Sequence, residues 1–138
     1  MFTFEKRWLL RIADAILPAG AHQRLPGARE VPLGGLVDDL NRFAPWTLCL
    51  AVRAATWIVT WFGPVITGRA RLFGGLSVPE RGRVLEELSR SRVYLIRELP
   101  VLLKMVSCLG YGGLPSVQRA VGLTSVDAHP PAWARGGA

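Results

Sequence analysis

The chain has 138 residues, half of them hydrophobic and 20% charged, with a net charge of +7 and a mean hydropathy of +0.27. That length is enough for one modest core and too short for two, and the composition excludes a disordered chain or a disulfide-built scaffold. The hydropathy is high for a lone soluble domain, so part of the apolar surface is expected to be covered by a partner or a bilayer.

The positive charge is carried mainly by arginine, which suits bidentate contacts to carboxylates and phosphates. The arginines are spread along the helical segments and accompany no nucleic-acid motif, so the expectation is no nucleic-acid partner. An acidic protein or an anionic membrane surface fits the charge at least as well. Cys49 and Cys108 both sit in apolar runs and are expected to be buried free thiols.

Thr3 can cap a first helix, with Glu5 in its first turn. Trp8, Leu9, Ile12, Ala15 and Ile16 recur at helical spacing, and Pro18 and Gly20 close the run. Ala19 to Gly35 is rich in Gly, Pro and charge, and reads as an irregular connection. Leu36 to Phe43 is a short second helix, ended before Pro45.

Trp46 to Gly68 is almost wholly apolar, with Arg53 the only charge before Arg69. A membrane span wants about 20 apolar residues, and an arginine near its centre costs roughly 2.5 to 3.5 kcal/mol. Trp46 to Phe62 is short for that. The favoured expectation is a helix shared between this protein's core and a partner. The alternatives are a span, or a helix lying on a membrane with Trp57, Trp61 and Phe62 at the interface.

Ser77-Val-Pro-Glu80 forms the pattern of a capping box, with Pro79 in the first turn. A basic amphipathic helix is expected from here through Arg97, with Leu85, Leu88 and Leu95 facing inward. Glu86 and Glu87 have the spacing to pair weakly with Arg90. Pro100 is expected to kink or restart the helix. Val101 to Leu109 is a further apolar helical piece, Gly110 to Gly113 a turn, and Pro115 to Gly122 a short helix. Residues 124–138 read as an extended tail, after a helical domain over 1–123. The fold class is all-α: a small irregular bundle of about five to six helices.

Catalytic chemistry is hard to assemble from these residues. His22 falls in a loop and His129 in the tail beside Pro130-Pro131. Asp38 and Asp39 are adjacent, so they do not share a helix face. The glycine pairs at 34–35, 74–75 and 112–113 lack the strand–turn–helix setting of a dinucleotide fingerprint. No catalytic, cofactor-binding or metal-ligating residue is expected in this chain.

Three ordered segments carry a family resemblance: Ala13-Asp-Ala-Ile-Leu-Pro18, Phe73-Gly-Gly-Leu-Ser-Val-Pro-Glu-Arg81, and Tyr111-Gly-Gly-Leu-Pro-Ser-Val-Gln-Arg-Ala-Val-Gly122, with Leu103-Lys104 before the last. In this order the chain resembles the gluconate 2-dehydrogenase subunit 3 proteins. It is also similar to the helical segment that precedes some glucose–methanol–choline oxidoreductases. It differs in one extra residue between Tyr111 and Pro115 and in the want of a recognisable twin-arginine leader.

The resemblance implies a non-catalytic small subunit that binds and stabilises a large FAD-containing dehydrogenase acting on an alcohol, sugar or steroid-type substrate. FAD and the catalytic histidine would belong to the large chain, and a cytochrome or other electron acceptor could join the assembly. Trp46, Trp57, Trp61, Phe62, Phe73, Arg81 and Tyr111 are the expected partner-interface residues. The alternative is a membrane-associated helical subunit of an electron-transfer or photosynthetic complex. The expected location is cytoplasmic or membrane-associated with peripheral membrane contact. A periplasmic location would need a partner's export signal or a leader beyond this sequence.

Overall fold

The computed structural model describes residues 2–20 and 25–122. Both histidines and the expected tail lie outside the described residues. Within them the chain is all-α, with seven α-helices and one short 3-10 turn: α1 Thr3–Ile16, α2 Gly34–Phe43, α3 Trp46–Trp61, α4 Gly63–Ile66, the turn Phe73–Gly75, α5 Val78–Ser89, α6 Tyr94–Gly112 and α7 Pro115–Ala120.

The core lies where α1, α3, α5 and α6 meet. Leu9 and Ile12 from α1, Val52, Ala55 and Val59 from α3, Val84, Leu85 and Leu88 from α5, and Leu103 and Val106 from α6 form one buried cluster. Their three- and four-residue spacing puts each set on one stripe of its helix. Phe73, in the 3-10 turn, plugs the same cluster at 1% exposure. A second, smaller cluster joins Ala13, Ala28, Val31, Leu33, Tyr111 and Val117. The connection after α1 is therefore more than irregular chain: its described part, residues 25–33, runs through turns that bury three apolar side chains under α1 and α6.

Several boundaries differ from the sequence-based expectation. The basic helix stops at Ser89 and a new one begins at Tyr94. Ser89 donates its hydroxyl to the Leu85 carbonyl and the Ser91 hydroxyl accepts the Val93 N–H. Such local bonds offer the backbone an alternative to helix. Leu95 consequently lies 74% exposed rather than inward, whereas Leu85 and Leu88 are buried as expected. Pro100 neither ends nor restarts α6, which continues past it to Gly112. The proline costs one backbone bond, and packing of α6 against α1, α3 and α5 holds the helix through that point. Gly110 is helical and lies against Leu36: a Cβ there would come within 2.5 Å of both Leu36 methyls. Cys108 is exposed and Cys49 is half-buried; both are free thiols.

At the start of α5, the Glu80 carboxylate accepts both the Ser77 N–H and the Ser77 hydroxyl, each at 2.7 Å. These two bonds hold the Glu80 carboxyl below the ordinary range. Glu86 pairs with Arg90 as the spacing predicts, but Glu87 turns instead to Arg69, which donates two bonds of 2.9 and 3.0 Å.

Candidate docking face

Helix α3 is two-sided. Val52, Ala55, Thr56, Val59 and Thr60 face the core. Trp46, Leu50, Arg53, Trp57 and Trp61 follow one another at four, three, four and four residues, which places them along a second stripe. Within that stripe Trp46 is 75% exposed, and Leu50, Trp57 and Trp61 are also exposed. Phe62, Val65 and Ile66 extend the apolar surface across α4, and Phe43 extends it beyond the start of α3. Exposed apolar patches of this kind, here interrupted by Arg53, are uncommon on monomers.

The tryptophans are fixed from beneath by α1. Trp8 sits edge-on to Phe4, Trp57 and Trp61, with centroids 5.1, 5.0 and 6.1 Å apart. Phe4 also meets Trp57 edge-on at 5.8 Å and stacks on Phe2. Edge-on pairs of this kind are favoured by the ring quadrupoles.

One buried carboxylate organises the cluster. Glu5 is 0% exposed. Its Oε1 accepts the Trp57 indole N–H at 2.7 Å and two Arg53 N–H groups at 3.0 and 3.2 Å. Its Oε2 accepts the Phe2 backbone N–H at 2.7 Å. Burial alone would raise the Glu5 pKa. The bonds from Trp57, the Phe2 N–H and Arg53, with the Arg53 charge, outweigh burial and hold it below the ordinary range. Arg53 thus explains how a charge is accommodated in the apolar segment: it lies on the outer face, neutralises Glu5 and covers the Phe2 ring at 5.4 Å. Phe2, rather than Thr3, occupies the cap position of α1.

The expected interface residues separate into two groups. Trp46, Trp57, Trp61 and Phe62 lie on the exposed face. Phe73, Arg81 and Tyr111 are buried and offer no free surface to a partner, which corrects that part of the expectation. They fasten the fold from inside. Arg81 donates to the Phe73 and Gly74 carbonyls at 3.1 and 3.2 Å and approaches Asp14 at 3.8 Å. Asp14 in turn receives Arg29 at 2.9 Å. Burial lowers the Arg81 pKa against the pull of Asp14, and Arg11 and Arg29 push it the same way as burial. Tyr111 donates its hydroxyl to the Pro26 carbonyl, tying α6 to the connection after α1, and burial together with Glu30 raises its pKa. Aromatic and arginine residues in a motif looked like contact residues in sequence; only their burial distinguishes fastening from docking. Phe2, Phe4 and Trp8 were missed as members of the face, although their spacing to Glu5 on one short helix was the available signal.

Among the described residues no group of three or more His, Cys, Asp or Glu side chains could hold a metal ion. Among the same residues no helix, α3 included, is long and apolar enough to cross a membrane. Compared with known proteins, the chain gives no match to a family model, to a curated protein or to a solved structure.

Proposed function

We propose that the chain is a non-catalytic small subunit that binds and stabilises a large FAD-dependent dehydrogenase acting on an alcohol group. The observation that carries this reading is the exposed aromatic stripe of α3, locked in place by α1 through Glu5. A surface with aromatic side chains at its centre and arginines around it has the composition of a protein interface. The three segments that resemble the dehydrogenase small subunits add support: Asp14 and Arg81 approach each other, and Phe73 and Tyr111 pin the bundle that presents the stripe. In this reading the flavin and its chemistry reside in the large chain.

The test is co-expression with a large FAD-dependent dehydrogenase of the proposed class. A flavin-bearing complex that forms with the unaltered chain, and is lost with Trp46→Ser and Trp61→Ser together, is the expected result. A monodisperse chain that never associates with flavoprotein refutes the reading.

A second reading, a peripheral membrane-associated subunit of an electron-transfer assembly, is favoured by one observation. Trp61, Phe62, Val65 and Ile66 form an exposed apolar end to α3 and α4. Retention of the chain on vesicles without any partner protein, abolished by Phe62→Ser and Val65→Ser, would select it.

A further inference from the structure

Beside the aromatic cluster, α1 carries a small cleft of about 200 Å³ lined by Phe4, Arg7, Trp8 and Arg11.

 A groove of about 350 Å³ lies elsewhere, between α1, α5 and α6, with walls that include Ile16, Leu85, Pro100 and Val101; nothing in the structure shows what would cover it. The 200 Å³ cleft is the informative one, because it sets two cations beside two rings.

Phe4 and Trp8 stand one turn apart on α1, and Arg7 and Arg11 stand one turn apart next to them. Both arginines are exposed, and neither has a hydrogen bond or ion pair among the described residues. The nearby carboxylates are already engaged: Glu5 by Arg53, and Asp14 by Arg29. Like charges one turn apart disfavour a helix. The pair of arginines therefore adds nothing to the stability of α1. Arg11 is also accommodated by the backbone: its guanidinium lies over Gly74, where a Cβ would sit 2.6 Å from Nη1.

We propose that this cleft receives a carboxylate side chain of a protein partner, held by Arg7 and Arg11, while an aromatic neighbour in the same acidic segment packs on Phe4 and Trp8. The inference rests on the reading of this chain as a docking subunit and names the chemistry of the surface it docks to. Charge complementarity selects the occupant. The guanidinium fork matches a carboxylate in two contacts, and the rings supply the apolar half of the site.

The probe is a dye-labelled random copolymer of glutamate and tyrosine, titrated onto the full chain and followed by fluorescence anisotropy. Binding is expected, and Arg7→Gln with Arg11→Gln should weaken it about tenfold, the scale of losing charge-assisted contacts. Gly74→Ala should weaken it in the same direction by displacing Arg11. Arg83→Gln with Arg92→Gln, which removes equal charge from exposed positions elsewhere, should change it by less than about twofold. Absence of binding, equal losses in the two double variants, or polyglutamate binding as well as the copolymer would each overturn the proposal. So would tighter binding to phosphatidylserine vesicles through the same arginines, which would make the occupant a lipid surface. Copolymer binding without any flavoprotein complex would retire the dehydrogenase reading and leave the cleft standing. A flavoprotein complex indifferent to Arg7 and Arg11 would do the reverse.

Discussion

Replacing Glu5 by glutamine tests whether one buried carboxylate organises the candidate docking face. The substitution keeps size and shape but removes the charge that faces Arg53 and turns one acceptor into a donor. The Phe2 N–H, the Trp57 indole and Arg53 together need acceptors on both carboxylate oxygens. An amide satisfies one side only, so a donor is left facing a donor. Breaking a fully buried pair costs about 3 to 5 kcal/mol. Here the Arg53 side chain is 38% exposed and can recover water, so about 2 to 3 kcal/mol is expected. For a domain of this size that lowers Tm by about 10 °C. The assay is thermal unfolding at low protein concentration, followed by near-ultraviolet circular dichroism of the tryptophans. Adding Arg53→Met to Glu5→Gln should cost less than the sum of the two single changes, because each removes the same pair. A Tm within about 2 °C of the unaltered chain would refute the reasoning.

The lowered Glu5 pKa gives a pH dependence with a definite sign. The folded carboxyl titrates below its unfolded value, so its contribution is present above the ordinary glutamate range and is lost as pH falls through the folded pKa. Tryptophan near-ultraviolet signal should fade in that acid window, and Glu5→Gln should remove this component of the change. Ser77→Ala should destabilise α5 by about 1 kcal/mol through loss of the cap, lowering complex yield while turnover per bound flavin stays constant. A collapse of turnover at unchanged yield and Tm would count against an accessory role. Gly110→Ala should lower Tm, because overpacking against Leu36 costs about 1 to 3 kcal/mol and outweighs the roughly 1 kcal/mol gained in helix propensity. A rise in Tm would show that Leu36 moves aside freely. Finally, the isolated chain should self-associate as its concentration rises, and Trp46→Ser with Leu50→Ser should reduce that association in sedimentation velocity.

Helix type and the inward stripes were legible wherever apolar residues recurred at helical spacing, as in Leu9 and Ile12 or Leu85 and Leu88. The capping box at Ser77 was legible because its chemistry is local. Tertiary packing decided the rest. Pro100 and Gly110 carry breaker signals, yet both lie inside α6, because contacts made far along the sequence override local preference. The break after Ser89 arises from serine side chains bonding their own backbone, a competition that apolar periodicity does not register. Half of the candidate docking face could be read from the tryptophan-rich segment. The other half could not, because Glu5 and Trp57 are brought together only when α1 crosses α3. Phe73, Arg81 and Tyr111 were conspicuous for the same reason that made them misleading: large residues in motifs fasten bundles as readily as they recruit partners.

Because α1 packs on α3, α5 and α6, it leaves the ribosome before the helices that cover it. Leu9 and Ile12 stay uncovered until the segment around Leu103 has emerged, a delay on the order of ten seconds at ordinary translation rates. Throughout that interval the nascent chain displays its amino-terminal rings and apolar stripe together. The growing polypeptide is thus most vulnerable to wrong encounters before α6 is made, and a chaperone holding α1 would do the most good during that time.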